Sequence, residues 1–176
     1  EITSMIEGIT PLLDDPITSN FRFGLAVIGR QDSGHFEPPE SRHSEMVTNF
    51  VPADEFLQYL QAMQHMDDGG IEPSIDATMW SMDGSYPFAW TLSSQKVIIL
   101  MTDEIAQTIT GKNVSEVNLY ATENGFEIFV FALPEHHTSF LQMVRGDSDR
   151  LYTPAANSET VFHQIRQIFE DLCIGG

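Results

Sequence analysis

Apolar residues in this chain cluster in three short runs that polar residues hardly interrupt. Near-continuous apolar runs bounded by turn signals are typical of strands covered on both faces, as in a parallel sheet. We therefore expect Ile98, Leu100 and Val130 to be fully buried in neighbouring central strands. The three predicted strands are Phe21–Gly29, Lys96–Thr102 and Phe126–Leu133, the last of which stops at Pro134.

The segments between these runs carry the spacing of amphipathic helices. In Ala53–Met66, the apolar residues Phe56, Leu60 and Met63 recur at i, i+4 and i+7 and so share one helix face. Serine is a favoured N-cap and glycine a favoured helix stop, so both mark predicted helix ends. Further helices are predicted at Ser74–Met82 (with Ile75, Met79 and Met82 on one face), from an N-cap at Ser115 to a stop at Gly125, and from an N-cap at Ser158 through Val161, Ile165, Ile168 and Leu172.

Strands that alternate with helices predict βαβ units and a right-handed, mostly parallel sheet. The expected fold is α/β, a doubly wound, Rossmann-like central sheet with helices on both faces. The opening segment departs from this order, because it has an apolar helical face, weakened by Gly8 and Pro11, with no strand before it. Either the chain begins with a helix, or it is a fragment whose first strand lies elsewhere. In both cases we expect residues 1–176 to form a single domain.

The net charge of the chain limits which partners it can bind. Eight Lys and Arg face 26 Asp and Glu, which gives a formal net charge of −18. Nucleic acids and anionic membranes attract basic proteins, so this balance argues against both as partners. The acidity indicates either a solvated surface or a face for a basic partner or a divalent cation.

Two further features bear on the location of the protein. No apolar run reaches the ~18 residues that a membrane span needs, so we expect no membrane insertion. Cys173 is the only cysteine, and a chain with one cysteine forms no internal disulfide. This favours a reducing, cytoplasmic location, although the abrupt start at Glu1 leaves a processed precursor open.

Acidic residues follow the predicted strands and precede a predicted helix. In an open α/β sheet, ligands bind at the carboxyl ends of the strands, so these residues are the ones to inspect. We expect a partner to contact Asp32, Glu72, Asp103 and Glu135. Asp103 also suits the N-cap of a helix, and Glu72 also suits the first turn of one, where the helix dipole favours an acid.

Four motifs follow one another along the chain: a Gly-Gly-x-Glu-Pro helix start, a trailing Trp, a strand ending in Thr-Asp, and a later helix-to-strand step. They are Gly69-Gly70-Ile71-Glu72-Pro73, Trp90, Leu100-Met101-Thr102-Asp103, and Glu123-Asn124-Gly125-Phe126 with the strand that follows. In their order and spacing these motifs resemble those of von Willebrand factor A (VWA) domains, and the resemblance covers about residues 1–172.

The resemblance implies a metal-ion-dependent adhesion site that draws oxygen ligands from three loops and suits Mg²⁺ or Ca²⁺. Asp103 matches the Asp of the third loop. Ile71 stands where the second loop would supply Thr or Asp, and its side chain cannot bind a metal. Ser4 matches the last Ser of the Asp-x-Ser-x-Ser run in the first loop, in a register where Ile2 replaces the first Ser and the Asp lies before Glu1. The metal ligands expected from this chain are therefore Asp103 and Ser4.

These observations favour a binding module over an enzyme. The sequence has no phosphate-binding glycine loop, no zinc-ligand spacing and no Gly-x-Ser-x-Gly motif, and a doubly wound hydrolase would lack a nucleophile–base pair. The resemblance implies a VWA-type protein-interaction or adhesion module that binds another protein through the carboxyl-end loops. The alternative is an intact Mg²⁺-dependent adhesion domain whose missing ligands lie upstream of residue 1.

Overall fold

Strands alternate with helices through most of the chain, as the hydrophobic pattern predicts. The structure is a computed structural model that describes residues 2–28, 44–62, 72–154 and 157–174. Short 3-10 helices span Pro16–Asn20, Pro134–His136 and Ser148–Arg150. The main elements are α1 (Ile2–Leu13), β1 (Phe23–Ile28), β2 (Ser44–Val51), α2 (Ala53–Ala62), α3 (Ser74–Asp83), β3 (Lys96–Met101), α4 (Val114–Asn124), β4 (Phe126–Phe131), α5 (His137–Phe140), β5 (Leu151–Tyr152) and α6 (Ser158–Ile174).

Within the described ranges the strands form two separate sheets. A parallel sheet has the order β3-β4-β5, with Ile98 opposite Ile128 and Leu100 opposite Val130. β1 pairs with β2 in an antiparallel ladder. The parallel sheet flanked by helices confirms the predicted α/β class, but the predicted first strand lies outside that sheet and pairs with a strand that was not predicted.

Polar residues in the buried positions of β2 explain why it was missed. Ser44 and Thr48 are both buried, where an amphipathic strand would carry apolar residues. The Ser44 hydroxyl donates to the carbonyl oxygen of Val27 at 2.9 Å and is also bonded to the Tyr86 hydroxyl. Hydrogen bonds offset the free-energy cost of burying these hydroxyls. Because the buried positions are polar, the alternation of apolar and polar residues that is typical of a strand is not visible in the sequence.

β4 lies at the centre of the core, and its side chains alternate between two apolar clusters. Phe126, Ile128 and Val130 pack in one cluster with side chains of α3 and α4, whereas Phe129 and Phe131 pack in the other with α1 and α6. Both faces of the sheet are therefore covered by helices. The predicted core positions of α3 (Ile75, Met79, Met82) and of α6 (Val161, Ile165, Ile168, Leu172) are all buried.

The burial predicted for the two central strands is only partly right. Leu100 and Val130 are buried, at 7% and 0% exposure, but Ile98 is only half-buried. Five of the six residues of β3 are half-buried, and its edge opposite β4 has no paired strand among the described residues. Ile98 is more exposed than predicted because its strand lies at an edge.

The N-caps of two helices lie one or two residues before the predicted caps. The side chain of Asn113 accepts from the backbone N–H groups of Ser115 and Glu116, and Glu116 accepts in return from the Asn113 N–H at 2.7 Å. This capping box makes Asn113, not Ser115, the N-cap of α4. At α6, the Asn157 side chain accepts from the Thr160 N–H at 2.8 Å, whereas the predicted cap at Ser158 is the first helical residue.

Other predicted helix ends agree with the structure or lie beyond what it describes. Gly125 ends α4 with a φ of 72°, a left-handed conformation that glycine adopts without strain. The predicted continuation of α2 through Met63 to Met66 lies outside the described residues. No helix in the described ranges combines the length and the hydropathy that crossing a membrane requires.

Glycine and proline inside α1 do not end the helix. α1 continues through Gly8 and Pro11 and packs along α6. A Cβ atom at Gly8 would lie 2.8 Å from the carbonyl oxygen of Ser158 and 2.8 Å from the Cβ of Val161. Gly8 therefore allows a backbone approach between the two helices that no other residue would permit, and their packing offsets its poor helix propensity.

Candidate functional site

The carboxyl ends of β3 and β4 lie at one edge of the parallel sheet. The backbone N–H of Thr102 donates to the carbonyl oxygen of Phe131 at 3.0 Å, so the chain extends the strand pairing to the residue before Asp103. The side chain of Thr102 is buried, and its hydroxyl oxygen accepts from the Glu104 N–H at 3.1 Å. Thr102 thereby fixes the backbone on both sides of Asp103.

Asp103 is exposed at the start of an irregular loop. No helix begins there, because α4 starts only at Val114. The interpretation of Asp103 as a helix N-cap is therefore wrong. Its carboxylate stands at the carboxyl edge of the sheet, where a ligand of a doubly wound fold is expected.

The loop that follows Asp103 is held by a buried carboxylate that the sequence did not single out. Asp76, with 0% exposure in the first turn of α3, accepts from the Ile109 N–H at 2.7 Å and from the hydroxyls of Thr108 (3.2 Å) and Thr110. These bonds satisfy a carboxylate in a position that otherwise penalises charge. The available signal was an Asp at the third position of a predicted helix, followed far along the chain by a Thr-x-Thr segment.

Two further hydrogen bonds join the N-terminus of α3 to the backbone of this loop. The Ile75 N–H donates to the carbonyl oxygen of Gln107 at 3.0 Å, and the Gln107 N–H donates to the Ser74 hydroxyl at 3.3 Å. The loop after β3 and the N-terminus of α3 therefore form one hydrogen-bonded unit at this edge.

Glu72 lies just ahead of that helix start and is half-buried. Its carbonyl oxygen accepts from the Ser74 N–H at 2.7 Å, and the acidic residue in the first turn is Asp76 instead. The interpretation of Glu72 as an acidic residue in the first turn is therefore wrong, because α3 begins only at Ser74.

A large cleft separates the two sheets, and we call it the inter-sheet cleft. It has a volume of about 1090 Å³ and runs between β1 and β3, with residues of α1 and α6 and of α3 also in its lining. Most of its lining is apolar. Acidic residues line it as well, and they are Glu72, Asp103 and Glu104.

The expected partner-binding residues divide into three groups. Glu72 and Asp103 border the same cleft. Glu135 is exposed in the 3-10 helix that follows β4 and is not among the cleft residues. Asp32 lies outside the described residues. Of the residues considered for the metal site, Ile71 also lies outside them, and Ser4 lies within α1 with a side chain that is not described.

The residues that the structure describes do not by themselves complete a metal site. Mg²⁺ takes six oxygen ligands and Ca²⁺ six to eight. Among residues 2–28, 44–62, 72–154 and 157–174, no group of three or more His, Cys, Asp or Glu side chains is placed to hold a metal ion. Asp103 is the one candidate ligand whose side chain the structure describes.

Comparisons with known proteins bear on the fold. No family model and no curated protein sequence matches the chain. Solved structures do, among them proximal thread matrix protein 1 (PTMP1) from the mussel byssus, with a TM-score of 0.72 and 13% identity, covering 98% of this chain and 42% of that one. A second crystal form has a TM-score of 0.71, 13% identity, and coverage of 98% and 43%.

A third structure of PTMP1 has a zinc-occupied MIDAS motif, with a TM-score of 0.70, 14% identity, and coverage of 98% and 43%. The present chain thus spans less than half of the length of these structures. The MIDAS motif is the metal-ion-dependent adhesion site that the sequence resemblance associates with VWA domains. Together with the α/β architecture, these likenesses confirm that the chain has a VWA-like fold.

Proposed function

We propose that this chain is a protein-interaction or adhesion module of the VWA type, not an enzyme. The observation that carries the proposal is the fold, which is shared across 98% of the chain with a matrix protein. In this fold class, loops at the carboxyl edge of the sheet converge on one side and are free to vary, so they are the natural binding surface.

The partner surface proposed here consists of Asp32, Glu72, Asp103 and Glu135. Two of these residues border the inter-sheet cleft, and Glu135 follows the neighbouring strand at the same edge. A net charge of −18 and acidic loops favour a partner protein that is basic or is bridged by a divalent cation. Long-range attraction would then speed association, and salt would screen it.

Charge reversal tests this surface. Proteins from an extract of the source cells are captured on the immobilised chain. Each purified partner is then measured for association with wild type and with the Glu72→Lys/Glu135→Lys double variant. We expect slower association of the double variant at low salt and a smaller difference at high salt. Equal rates for both proteins at low salt would contradict the proposed surface.

A control residue is available at the opposite end of the strands, where their amino ends lie. Glu123 is exposed in the last turn of α4, which leads through Gly125 into the amino end of β4. Glu123→Lys changes the net charge by as much as one of the two reversals. Its association rate is therefore compared with those of the single variants Glu72→Lys and Glu135→Lys, which separates a local contact from the effect of total charge. We expect it to stay near that of wild type.

A second candidate function is an intact cation-dependent adhesion domain, which the zinc-occupied motif in PTMP1 favours. Asp103 and Ser4 are its candidate ligands here, with Mg²⁺ or Ca²⁺ as the cation. Calorimetric titration of residues 1–176 should give a dissociation constant weaker than ~10 μM, since Ile71 supplies no ligand. A tighter constant that Asp103→Ala abolishes would favour the intact site instead.

The location of the protein stays a prediction. Cys173 is free and exposed, which fits the reducing compartment expected from a single cysteine. A cytoplasmic module and an extracellular one differ in the divalent cations available to them, so location and cation need to be determined together.

A further inference from the structure

We propose that an exposed turn after α5 is a recognition site for a cation-dependent adhesion receptor. The turn spans residues 144–147 and carries the sequence Arg145-Gly146-Asp147, and we call it the Arg-Gly-Asp turn. The proposal goes beyond the acidic partner surface described above, because it concerns a different part of the molecule and includes a positive charge. It rests on the backbone conformation of the turn, on its exposure and on the hydrogen-bonding capacity that its two charged side chains retain.

Backbone hydrogen bonds hold the Arg-Gly-Asp turn in one conformation. The Asp147 N–H donates to the carbonyl oxygen of Val144 at 3.0 Å, and the Gly146 N–H donates to that of Leu141 at 2.8 Å. The two central residues both have a positive φ, 63° at Arg145 and 73° at Gly146, as in a type I′ turn. Val144 is 1% exposed, so the turn is anchored in the core. A receptor therefore meets a turn that is already ordered, which reduces the entropy lost on binding.

Arg145 differs from the rest of the chain in its backbone conformation. Among the described residues it is the only one other than glycine that has a positive φ. Glycine adopts this conformation without strain, whereas a residue with a Cβ atom does not. Backbone strain of this kind is concentrated at functional sites, so the arginine side chain is the part of the turn in which a function is expected.

The guanidinium of Arg145 has no acidic partner, although the protein is strongly acidic. Among the described residues, Arg150 and Arg166 each form two ion pairs, whereas Arg145 forms none. Its side chain donates one hydrogen bond, at 3.1 Å to the carbonyl oxygen of Phe126. A guanidinium has five N–H donors, and Arg145 is exposed, so most of its donors remain available to a partner.

The carboxylate of Asp147 lies two residues further along the chain and can also accept a further ligand. Its side chain is 47% exposed. One oxygen accepts from the Asp149 N–H at 3.0 Å, and the other lies 3.3 Å from Nε of Arg150. Each carboxylate oxygen has two acceptor positions, so each can still coordinate a cation. The existing bonds hold the carboxylate in one orientation.

The chemistry of the turn defines its partner. Residues two apart in sequence have Cα atoms at most ~7 Å apart, so one small site has to bind both charged side chains. A divalent cation with a free coordination position binds a carboxylate, and acidic side chains bind a guanidinium through paired N–H groups. The partner is therefore a receptor protein that holds a divalent cation next to an acidic pocket. A receptor of this kind on a cell surface meets the chain only if the chain is extracellular.

The Arg-Gly-Asp turn and the acidic partner surface lie at opposite ends of β4. Arg145 contacts Phe126, the first residue of β4, whereas Thr102 pairs with Phe131, the last. One module could therefore bind a partner protein at one end of the strand and a cell-surface receptor at the other. The two surfaces can be changed separately, so each proposal can fail without the other.

The attachment of cultured adherent animal cells to immobilised residues 1–176 tests the proposal, in buffer with Mg²⁺ and on a surface otherwise blocked with albumin. We expect attachment to fall at least about tenfold on chelation of the cation and on addition of excess peptide Gly-Arg-Gly-Asp-Ser. The peptide Gly-Arg-Gly-Glu-Ser, whose carboxylate lies one methylene further out, should have little effect. Absence of attachment, or attachment that withstands chelation or the first peptide, would overturn the proposal.

Variants of the turn separate recognition from folding. Arg145→Gly removes the guanidinium and relieves the positive φ, so it should keep the fold, as thermal unfolding would show, and lose attachment. Asp147→Glu should lose attachment as well, and Asp149→Glu is its matched control, because Asp149 is exposed two residues further on. If Asp147→Glu is unstable, Arg145→Gly alone decides. Attachment of Arg145→Gly at the level of wild type would overturn the proposal.

The Glu72→Lys/Glu135→Lys variant distinguishes this proposal from the acidic partner surface. It should attach cells as wild type does, because both substitutions lie away from the Arg-Gly-Asp turn. Loss of attachment in this variant, with Arg145→Gly unaffected, would assign attachment to the acidic surface and overturn the proposal. Cation- and peptide-sensitive attachment that only the turn variants lose would support it, whatever the acidic surface binds.

Discussion

β3 and β4 are neighbouring strands of equal length and similar apolar content, yet they lie in different surroundings. β4 is paired with β3 along its whole length and with β5 at Val130 and Phe131, it is covered on both faces, and five of its six residues are buried. β3 is covered on the same two faces but paired on one edge, and one of its six residues is buried. The difference teaches that the burial of a strand depends on its edges as much as on its faces, and an apolar run in the sequence does not reveal how many edges are paired.

The strongest test of this difference uses one residue type at one register position. Ile128 in β4 is 3% exposed and lies opposite Ile98 in β3, which is half-buried. Ile128→Ala should lower the free energy of unfolding by about 2–5 kcal/mol because it leaves a closed cavity. Ile98→Ala should cost clearly less, since water already reaches the site. Chemical denaturation measures both, and equal losses would contradict the contrast between the strands.

The segments that follow the two strands also differ, and a change in the segment after β3 should have the next largest effect on the free energy of unfolding. β4 leads almost directly into a short helix, whereas the long loop after β3 is held by the carboxylate of Asp76. Asp76→Ala should cost about 1–3 kcal/mol, because it removes the acceptor of three partly buried hydrogen bonds, from the Ile109 N–H and from two threonine hydroxyls. The exchange rate of the Ile109 amide should rise in the same variant. A stability loss without faster exchange at Ile109 would show that Asp76 acts elsewhere.

A smaller effect is expected where that loop ends and the helix between the two strands begins. Asn113→Ala removes the side chain that caps α4 and should cost about 1 kcal/mol. Ser115→Ala is the matched control, because Ser115 is exposed inside the first turn and donates only its backbone N–H to Asn113. Thermal unfolding of the two variants distinguishes them, and a larger loss at Ser115 would restore it as the cap.

The smallest effect concerns β5, the strand that pairs the outer edge of β4. Burial raises the pKa of the Tyr152 phenol above its ordinary value of 10.0, with the charge of Asp171 as the next cause. The folded state thus favours the neutral phenol, and this stability is fully present below about pH 10 and is lost as the pH rises through the raised pKa. Tyr152→Phe keeps the ring that stacks on Phe131 at 4.8 Å and should weaken this alkaline loss. Urea denaturation near pH 8 and near pH 11 measures it, and an identical alkaline loss in wild type and variant would assign the effect to other groups.

Long apolar runs and regular helical spacing made much of the fold predictable. β3, β4 and α6 follow directly from such patterns, because their side chains face a core that is apolar throughout. β2 and β5 were not predictable in this way. β2 buries hydrogen-bonded hydroxyls, and β5 is a pair of residues too short to show a period. The separation of the strands into two sheets depends on pairing between distant segments, which local pattern does not record.

The place of the candidate residues in the fold was predictable, but their supporting contacts were not. The apolar run of β3 predicted that Asp103 follows the strand, and both Asp103 and Glu72 border one cleft. Binding of a partner at this edge of the sheet stays a prediction. Asp76 was missed because its role depends on a loop more than thirty positions away. Capping by Asn113 and Asn157 was also missed, since each lies within two residues of a serine that is an equally favoured cap, and the side-chain hydrogen bonds of the folded chain distinguish the two.

The contact at Gly8 joins two helices that lie far apart in the sequence. Because Gly8 lies in α1 and Val161 in α6, the two helices meet only after most of the described elements between them have been brought together. Contacts at such separation slow folding, because the entropy of closing the loop is lost before the contact forms.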